Sequence, residues 1–321
     1  MDHTYSRALD VPTANDLSFG HRVCGSKVAG PFNLLSSPEI FMSTQNNYVA
    51  AGSILSTASD LSKFSRFLLS KGQGIFSSPK IIEEMITGHN INTLFGSLVN
   101  FLGYSYTADG GALAAGYGFD IIGDVMYDHH YFDKGGDTIA FKTRNGFIPD
   151  QELGVVLLSN AETSGGTPSE AMLQDRIRTY ILGIFLDVPK AQLQKTYDDA
   201  ANGINAIRSK TTCDPHFFDG KPWDQVGKPI PKDKLSTLAG NYIATTSKQY
   251  YGNVTISISN DQAVLSYGAF AAPLYYENEN STTSYLWSSQ VAMGSASNLE
   301  IKLSPTNATI SWAGVDFAKQ F

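Results

Sequence analysis

The residues with the clearest chemical potential are Lys134-Gly135-Gly136, in the stretch His130-Tyr-Phe-Asp-Lys-Gly-Gly-Asp-Thr-Ile-Ala-Phe141. Apolar residues on both sides predict two strands, with the glycines at a strand edge. The Lys134 ammonium can attract a substrate carboxylate, and small residues let a backbone N–H approach a reacting carbonyl oxygen closely. The pattern therefore predicts one side of an acyl-transfer site.

Asp137 follows the glycines, and its backbone N–H is the group that we expect to face an oxyanion. Its carboxylate must then point elsewhere, because it would oppose a developing negative charge. The predicted catalytic residues are Lys134, Gly136 and Asp137, and the predicted substrate-binding residues are Lys134 and Gly135. The spacing alone also fits a solvated turn.

A nucleophile is the missing part of this site. In a Ser-x-x-Lys motif the two residues share a helix face, so the amine can take the hydroxyl proton. Ser77-Ser-Pro-Lys80 matches by letter, but it falls at an exposed helix start. His129 and His130 point to opposite faces of a predicted strand and cannot easily bind one ion. We therefore expect no metal and no cofactor.

The elements that position this edge follow from the hydrophobic periodicity. Leu61, Phe64 and Leu68 predict a helix capped by Ser56 or Thr57 and ended by Gly72. Strands are predicted from about residue 116 to 160, with a turn at 149–152. A second helix is predicted to open at Thr167-Pro-Ser-Glu170 and to turn apolar residues towards a core; these are Met172, Leu173, Ile177, Ile181, Ile184 and Phe185.

The fold class that these elements predict is α+β, an antiparallel sheet flanked by helices and followed by a small all-β domain. We predict a first domain over residues 1–210, a linker over 211–232 and a lipocalin-like β-barrel over 233–321. The alternation of residues 254–259 and the Asn260-Asp261 turn are typical of such a barrel.

Composition limits the partners. The net charge of −7, the pI near 5.3 and the lack of a basic run argue against nucleic acid. No apolar run of about 18 residues occurs, which argues against a membrane span. A small ester, amide or peptide is the expected substrate of a full-length parent, and the oligomeric state stays open.

The cysteines, the glycosylation triplets and the N-terminal residues bear on the cellular compartment. Cys24 and Cys213 form one long-range disulfide or are two buried thiols, and the sequence does not decide. Asn253, Asn280 and Asn307 each begin a glycosylation acceptor triplet, which slightly favours secretion of a fuller parent. The first residues lack the pattern of a secretory signal.

Three blocks resemble the β-lactamase-related serine hydrolases, the group of class C β-lactamases, D-aminopeptidases and related esterases. They are Ala51-Gly-Ser-Ile-Leu-Ser-Thr-Ala-Ser-Asp-Leu-Ser-Lys-Phe64, the stretch from Asp133 to Phe141, and the hairpin from Pro149 to Asn160. The resemblance spans roughly residues 1–188. Leu238-Ala-Gly-Asn-Tyr and Tyr250-Tyr-Gly resemble the barrel appended to many members.

The resemblance implies a serine that is acylated, a lysine one turn later that takes its proton, an assisting Tyr-x-Asn and a closing Lys/His-x-Gly. Only the last corresponds to residues here, at Lys134 to Gly136. We therefore expect the C-terminal part of a serine hydrolase that is inactive by itself. The alternative is a non-catalytic binding protein that kept the pocket.

Overall fold

A computed structural model of the chain describes thirteen stretches and divides it into two compact units, residues 1–212 and 213–321. The described residues are 1–7, 10–12, 16–35, 52, 54–92, 113–138, 140–163, 173–208, 213–268, 270–278, 280–288, 299–303 and 308–320. Each unit is built around its own buried apolar clusters.

The first unit is an antiparallel sheet flanked by helices. Its elements are β1 Gly20–Cys24, β2 Lys27–Phe32, α1 Ala58–Leu69, α2 Lys80–Met85, β3 Asn90–Ile91, β4 Ala114–Ala115, β5 Ile121–Met126, β6 His129–Asp137, β7 Lys142–Ile148, β8 Leu153–Ser159, β9 Ala161–Thr163, α3 Leu173–Phe185 and α4 Lys190–Arg208. The strand order of the main sheet is β3-β4-β5-β6-β7-β8, and a second sheet has the order β2-β1-β9.

The two faces of the six-stranded sheet carry different cores because side chains alternate along each strand. On the α1 face, Phe132 and Phe147 stack with their ring centroids 4.8 Å apart, and Leu68 of α1 joins their cluster. On the other face, Tyr131 and Ile148 pack with Leu182 of α3. Strand β6 therefore lies between two cores, and its position is fixed from both sides.

Helix α1 confirms the helix predicted from Leu61, Phe64 and Leu68. Thr57 is the N-cap residue, with its side chain accepting the Asp60 N–H at 3.1 Å. Beyond the helix the Gly72 N–H donates to the Phe67 carbonyl at 2.9 Å, and φ at Gly72 is +77°. The helix itself ends at Leu69, with Ser70 as its C-cap residue, and the first positive φ after it, +55°, is at Lys71. Gly72, the predicted end, therefore lies in the turn just beyond the helix.

Asp60, which is 1% exposed, fastens the N-terminal residues to α1. It accepts the His3 N–H at 2.7 Å and the Thr4 hydroxyl at 3.0 Å, and it pairs with Lys63 at 2.9 Å. The Lys63 hydrogen bond is the main cause that holds the pKa of Asp60 far below its usual range; burial opposes it, and the His3 and Thr4 donors assist.

We expect Asp60→Asn to lower the Tm at pH 7, because the ionised carboxylate is what these donors recognise. A lowered folded-state pKa stabilises the fold above the ordinary aspartate pKa of about 3.9, and this stabilisation is lost as the pH falls. The Tm difference from the wild type should therefore shrink between pH 7 and pH 3 in thermal melts. Asp10→Asn, at an exposed pair with Arg7, is the control; an equal effect there would contradict the assignment.

The orientation predicted for the second helix is wrong. In α3 the residues turned inward include Asp175, Arg178 and Thr179, whereas Ile184 and Phe185 are 53% and 67% exposed. Leu173 and Ile177 are also exposed, and Ile181 is only partly buried. Hydrophobic periodicity gave the wrong inward face for α3 because Asp175 and Arg178 form ion pairs with Arg144 and Asp133 of the sheet. These ion pairs determine which face of the helix is buried. The predicted cap at 167–170 and Met172 lie outside the described residues.

The second unit contains a closed barrel of eight antiparallel strands in sequence order. Pairing of the first strand with the last, Tyr242 with Lys319, closes it. Its elements are α5 Pro215–Asp219, α6 Trp223–Val226, α7 Lys232–Leu238, β10 Gly240–Ala244, α8 Lys248–Tyr251, β11 Asn253–Ser259, β12 Gln262–Tyr267, β13 Phe270–Tyr276, β14 Ser284–Trp287, β15 Leu299–Leu303, β16 Ala308–Trp312 and β17 Val315–Lys319. The predicted α+β class with a C-terminal barrel is confirmed.

The barrel begins after a helical stretch rather than a bare linker. Helices α5, α6 and α7 occupy parts of residues 213–238, and this stretch belongs to the second unit. The Asn260-Asp261 turn has positive φ at both residues, 49° and 59°, which suits a tight hairpin. Tyr242 and Trp287 are fully buried in the barrel core.

The predicted modification sites lie as follows. Cys24 is buried in β1, and Cys24 and Cys213 are each disulfide-bonded, so neither is a free thiol. Asn253 and Asn280 are exposed. Asn307 lies outside the described residues.

The described helices include no segment with both the length and the apolar character needed to cross a membrane.

Candidate functional site

The predicted site residues lie on β6 where it runs past its neighbour. Strand β5 pairs with β6 only as far as Ile121 opposite Asp133. Strand β7 continues alongside, from Lys134 opposite Asn145 to Asp137 opposite Lys142. The glycines therefore lie inside β6, which ends at Asp137. The predicted second strand starts at Lys142, and Ile139 lies outside the described residues.

The outer edge of this part of β6 presents backbone donors. The Thr138 N–H donates to Phe141 across the hairpin, and the Asp133 carbonyl accepts the Asp120 N–H on the opposite side. Backbone groups alternate in direction along an antiparallel strand. The N–H groups of Gly135 and Asp137 therefore point away from β7. No strand in the described part of the chain pairs with that edge.

The two glycines are close to side chains of β7. A Cβ atom at Gly135 would lie 2.4 Å from Nη1 of Arg144, and one at Gly136 would lie 2.6 Å from Oγ1 of Thr143. The prediction gave these glycines the role of leaving room for substrate. The side chains of Arg144 and Thr143 occupy the space next to them. The packing of these two side chains is therefore a second reason for having glycine at positions 135 and 136.

The Asp137 carboxylate is held by two cations. Lys142 Nζ lies 2.6 Å from Oδ1, and Arg144 Nη1 lies 3.4 Å from Oδ2. Burial raises the pKa of Asp137, but the positive charges of Arg144 and then Lys142 outweigh it, so the pKa lies below its ordinary value. The carboxylate therefore stays ionised at neutral pH, with its charge neutralised by these two cations.

Lys134 carries a partner of its own. Its ammonium lies 2.7 Å from Oδ2 of Asp120, and both side chains are about half exposed. A substrate carboxylate must therefore compete with Asp120 for this cation. Exposed pairs of this kind contribute only about 0–1 kcal/mol, so the exchange of one carboxylate for another costs little.

A cavity of about 780 Å³ opens at this edge and is lined by Lys134, Gly135, Gly136 and Asp137. Much of the rest of its wall is apolar, including Leu55 and Leu61, Phe64 of α1, Phe141 and Leu158. Polar side chains, among them Thr143, Asn145 and Asn160, make up the remainder of the wall. This volume suits a small organic ligand. The edge donors and the cavity together can hold a carbonyl compound beside the strand.

A chain of buried charges leads from the site into the fold. Arg144 Nε donates to Asp175 at 2.7 Å, and Asp175 accepts Arg178 Nη1 at 3.0 Å. Arg178 also pairs with Asp133, which accepts the Tyr131 hydroxyl at 2.9 Å. This chain of charges was not predicted from the sequence, although Asp175 and Arg178, spaced i and i+3 in a helix with apolar residues, were a signal for it.

The serine hydroxyls that line the cavity in the described residues are bonded to groups other than lysine. Ser56 bonds to Thr4 at 2.9 Å, Ser159 to the Ala161 carbonyl at 3.1 Å and Ser18 to the Phe19 carbonyl at 3.5 Å. Ser77 and Lys80 lie at the start of α2, and neither lines the cavity.

The two adjacent histidines have separate carboxylate partners. His129 Nδ1 lies 2.5 Å from Asp150 and His130 Nδ1 lies 3.0 Å from Asp124. The described part of the chain has no cluster of three or more metal-binding side chains. The pair therefore takes part in two surface contacts and does not form one site.

Comparisons with known proteins address the family of the chain. A penicillin-binding protein homologue from Pyrococcus abyssi, whose structure was described as octameric, aligns at 17% sequence identity with a TM-score of 0.41. The alignment covers 99% of this chain and 57% of the other, so this chain spans little more than half of its length. No curated protein sequence matches. The family model described as Beta-lactamase matches residues 3–178, more than half of the chain. The chain therefore belongs to the beta-lactamase family.

Proposed function

We propose that this chain supplies the substrate-facing edge of a serine acyl-transfer site. Family membership points to the serine hydrolase superfamily. The acyl donor is an ester, amide or β-lactam, and the serine and its lysine come from sequence outside these 321 residues. No resident metal or cofactor is needed for this chemistry.

One observation carries the proposal: a strand edge with outward backbone donors borders a ligand-sized cavity. Attack on a carbonyl puts negative charge on its oxygen, and fixed N–H donors stabilise that charge without reorganising. The Asp137 N–H is the donor on this chain. Lys134 positions the substrate. Gly135 and Gly136 add no side chain of their own and so permit a close approach of substrate to the backbone.

A fluorophosphonate probe tests the proposal. The probe bonds covalently to an activated serine, so intact-mass measurement counts the labelled sites. We expect no labelling of the 321-residue chain, and we expect one labelled serine in a Ser-x-x-Lys motif when the reading frame is extended upstream. Stoichiometric labelling of a serine within these residues would overturn the proposal that the nucleophile lies elsewhere.

A non-catalytic binding protein is the second candidate, and the partners of the cavity serines favour it. Within the described residues these serines bond to groups other than lysine, so the pocket can hold a ligand without reacting. An upstream stop codon, together with unlabelled protein, would select this candidate over the enzyme.

A further inference from the structure

We propose that Arg144 is the positioning residue of the Lys134–Asp137 edge, acting by joining Asp175 of α3 to Asp137. Its guanidinium links a helix on the covered face of the sheet to the last residue of the exposed strand edge. A role of this link in catalysis rests on the proposed acyl-transfer function. The contacts from Asp175 through Arg144 to Asp137 do not depend on that function.

The contacts of Arg144 leave it little freedom. Nε donates to buried Asp175 at 2.7 Å, and Nη1 donates to its neighbour's carbonyl, that of Thr143, at 2.8 Å. The same Nη1 lies 3.4 Å from both carboxylate oxygens of Asp137. The side chain is 11% exposed, and Asp175 is 2% exposed. The short bond to buried Asp175 is therefore the strong one. The contact with Asp137 is longer, and that carboxylate is about half exposed.

The position of the guanidinium also explains the residue at 135. It crosses the strand where a Cβ at Gly135 would lie 2.4 Å from Nη1. Any larger residue there must displace the end of the arginine side chain. Gly135 is therefore required by Arg144, and Arg144 in turn keeps the Asp137 carboxylate on the sheet face that α3 covers.

The consequence for chemistry concerns charge and direction. A carboxylate that swung towards the outer edge would place a negative charge beside the oxyanion and oppose it. With the carboxylate held by Arg144 and Lys142, Asp137 presents its N–H, and not its carboxylate, to the outer edge. The ionisable groups around this point are Lys142 and Arg144 of β7, Glu162 of β9, Asp175 and Arg178 of α3, and Asp133 of β6.

The test measures the titration of the Asp137 carboxyl by ¹³C NMR in the full 321-residue chain. Gly135→Ala changes no charge but displaces the guanidinium, and Arg144→Gln removes it. We expect both variants to move the Asp137 titration midpoint upwards, and Arg144→Lys to move it less. We also expect hydrogen exchange of the Gly136 amide to accelerate in the same variants, because Gly136 lies opposite Thr143 and the Thr143 carbonyl loses its bond from Arg144. The expected factor is about tenfold, the effect of losing one charge-assisted hydrogen bond.

Arg7→Gln, at the exposed pair with Asp10, is the matched control and should change neither quantity. If Arg144→Gln does not fold, Gly135→Ala decides by itself. An unchanged Asp137 midpoint in Gly135→Ala would overturn the proposal, because Lys142 would then hold the carboxylate alone. This readout involves no catalysis, so its failure is distinct from a failure of fluorophosphonate labelling.

Discussion

Asp137→Pro is expected to slow acylation about 10²–10³-fold relative to Asp137→Ala, in the form of the protein that carries the serine. Both variants lose the carboxylate, but only proline also loses the amide donor. Removal of one oxyanion donor typically costs this factor in kcat. The rate of fluorophosphonate labelling and the kcat for an ester measure the effect.

The comparison of Asp137→Pro with Asp137→Ala isolates the loss of the amide donor because of the strand geometry. The Asp137 N–H points away from β7, so proline there removes no ladder hydrogen bond, and proline is tolerated at strand edges of this kind. Thermal melts of both variants should show a folded protein. If the two variants react equally fast, the Asp137 amide does not face the reacting oxygen.

Arg178→Met is expected to destabilise the protein by about 3–5 kcal/mol. Arg178 is fully buried and pairs with both Asp133 and Asp175, so its removal leaves two buried carboxylates short of a cation. Removal of one partner of a buried ion pair has this cost because the remaining charge is not solvated. Urea unfolding followed by circular dichroism measures the loss.

A double variant separates the charge effect from lost packing. In Asp133→Asn/Arg178→Met the position of Asp133 is no longer charged. Asp175 loses Arg178 as a partner but keeps Arg144. We therefore expect the double variant to be more stable than Arg178→Met alone. A double variant that is less stable than the single would show that the packing of Arg178, whose guanidinium carbon lies 5.3 Å from the centroid of the Tyr131 ring, matters more than its ion pairs.

Much of the fold was predictable because it depends on local sequence. The Thr57 cap, the turn that holds Gly72 after α1 and the Asn260-Asp261 turn each follow from the preferences of one or two residues. The barrel strands alternate apolar and polar residues with period two, and the hairpin after Ile148 follows from its turn residues. These features need no knowledge of what lies across the sheet.

The site was predictable only in part, because its charges are set by tertiary partners. Lys134 looked like an available cation, yet Asp120, fourteen residues earlier, is its partner. Arg144 was not among the predicted site residues, because its role depends on a contact with Asp175, thirty-one residues later. The same long-range pairs reversed the orientation of α3, where hydrophobic periodicity placed the apolar residues inward.

The distance from the Asp137 nitrogen to the oxygen of a bound acyl analogue tests the central claim most directly. A crystal structure of the serine-bearing form, phosphonylated or bound to a boronate, supplies it. We expect an oxygen within about 2.7–3.1 Å of that nitrogen, the range of an oxyanion donor. An analogue seated in the cavity with its oxygens bonded elsewhere, and the Asp137 amide left to solvent, would contradict the account.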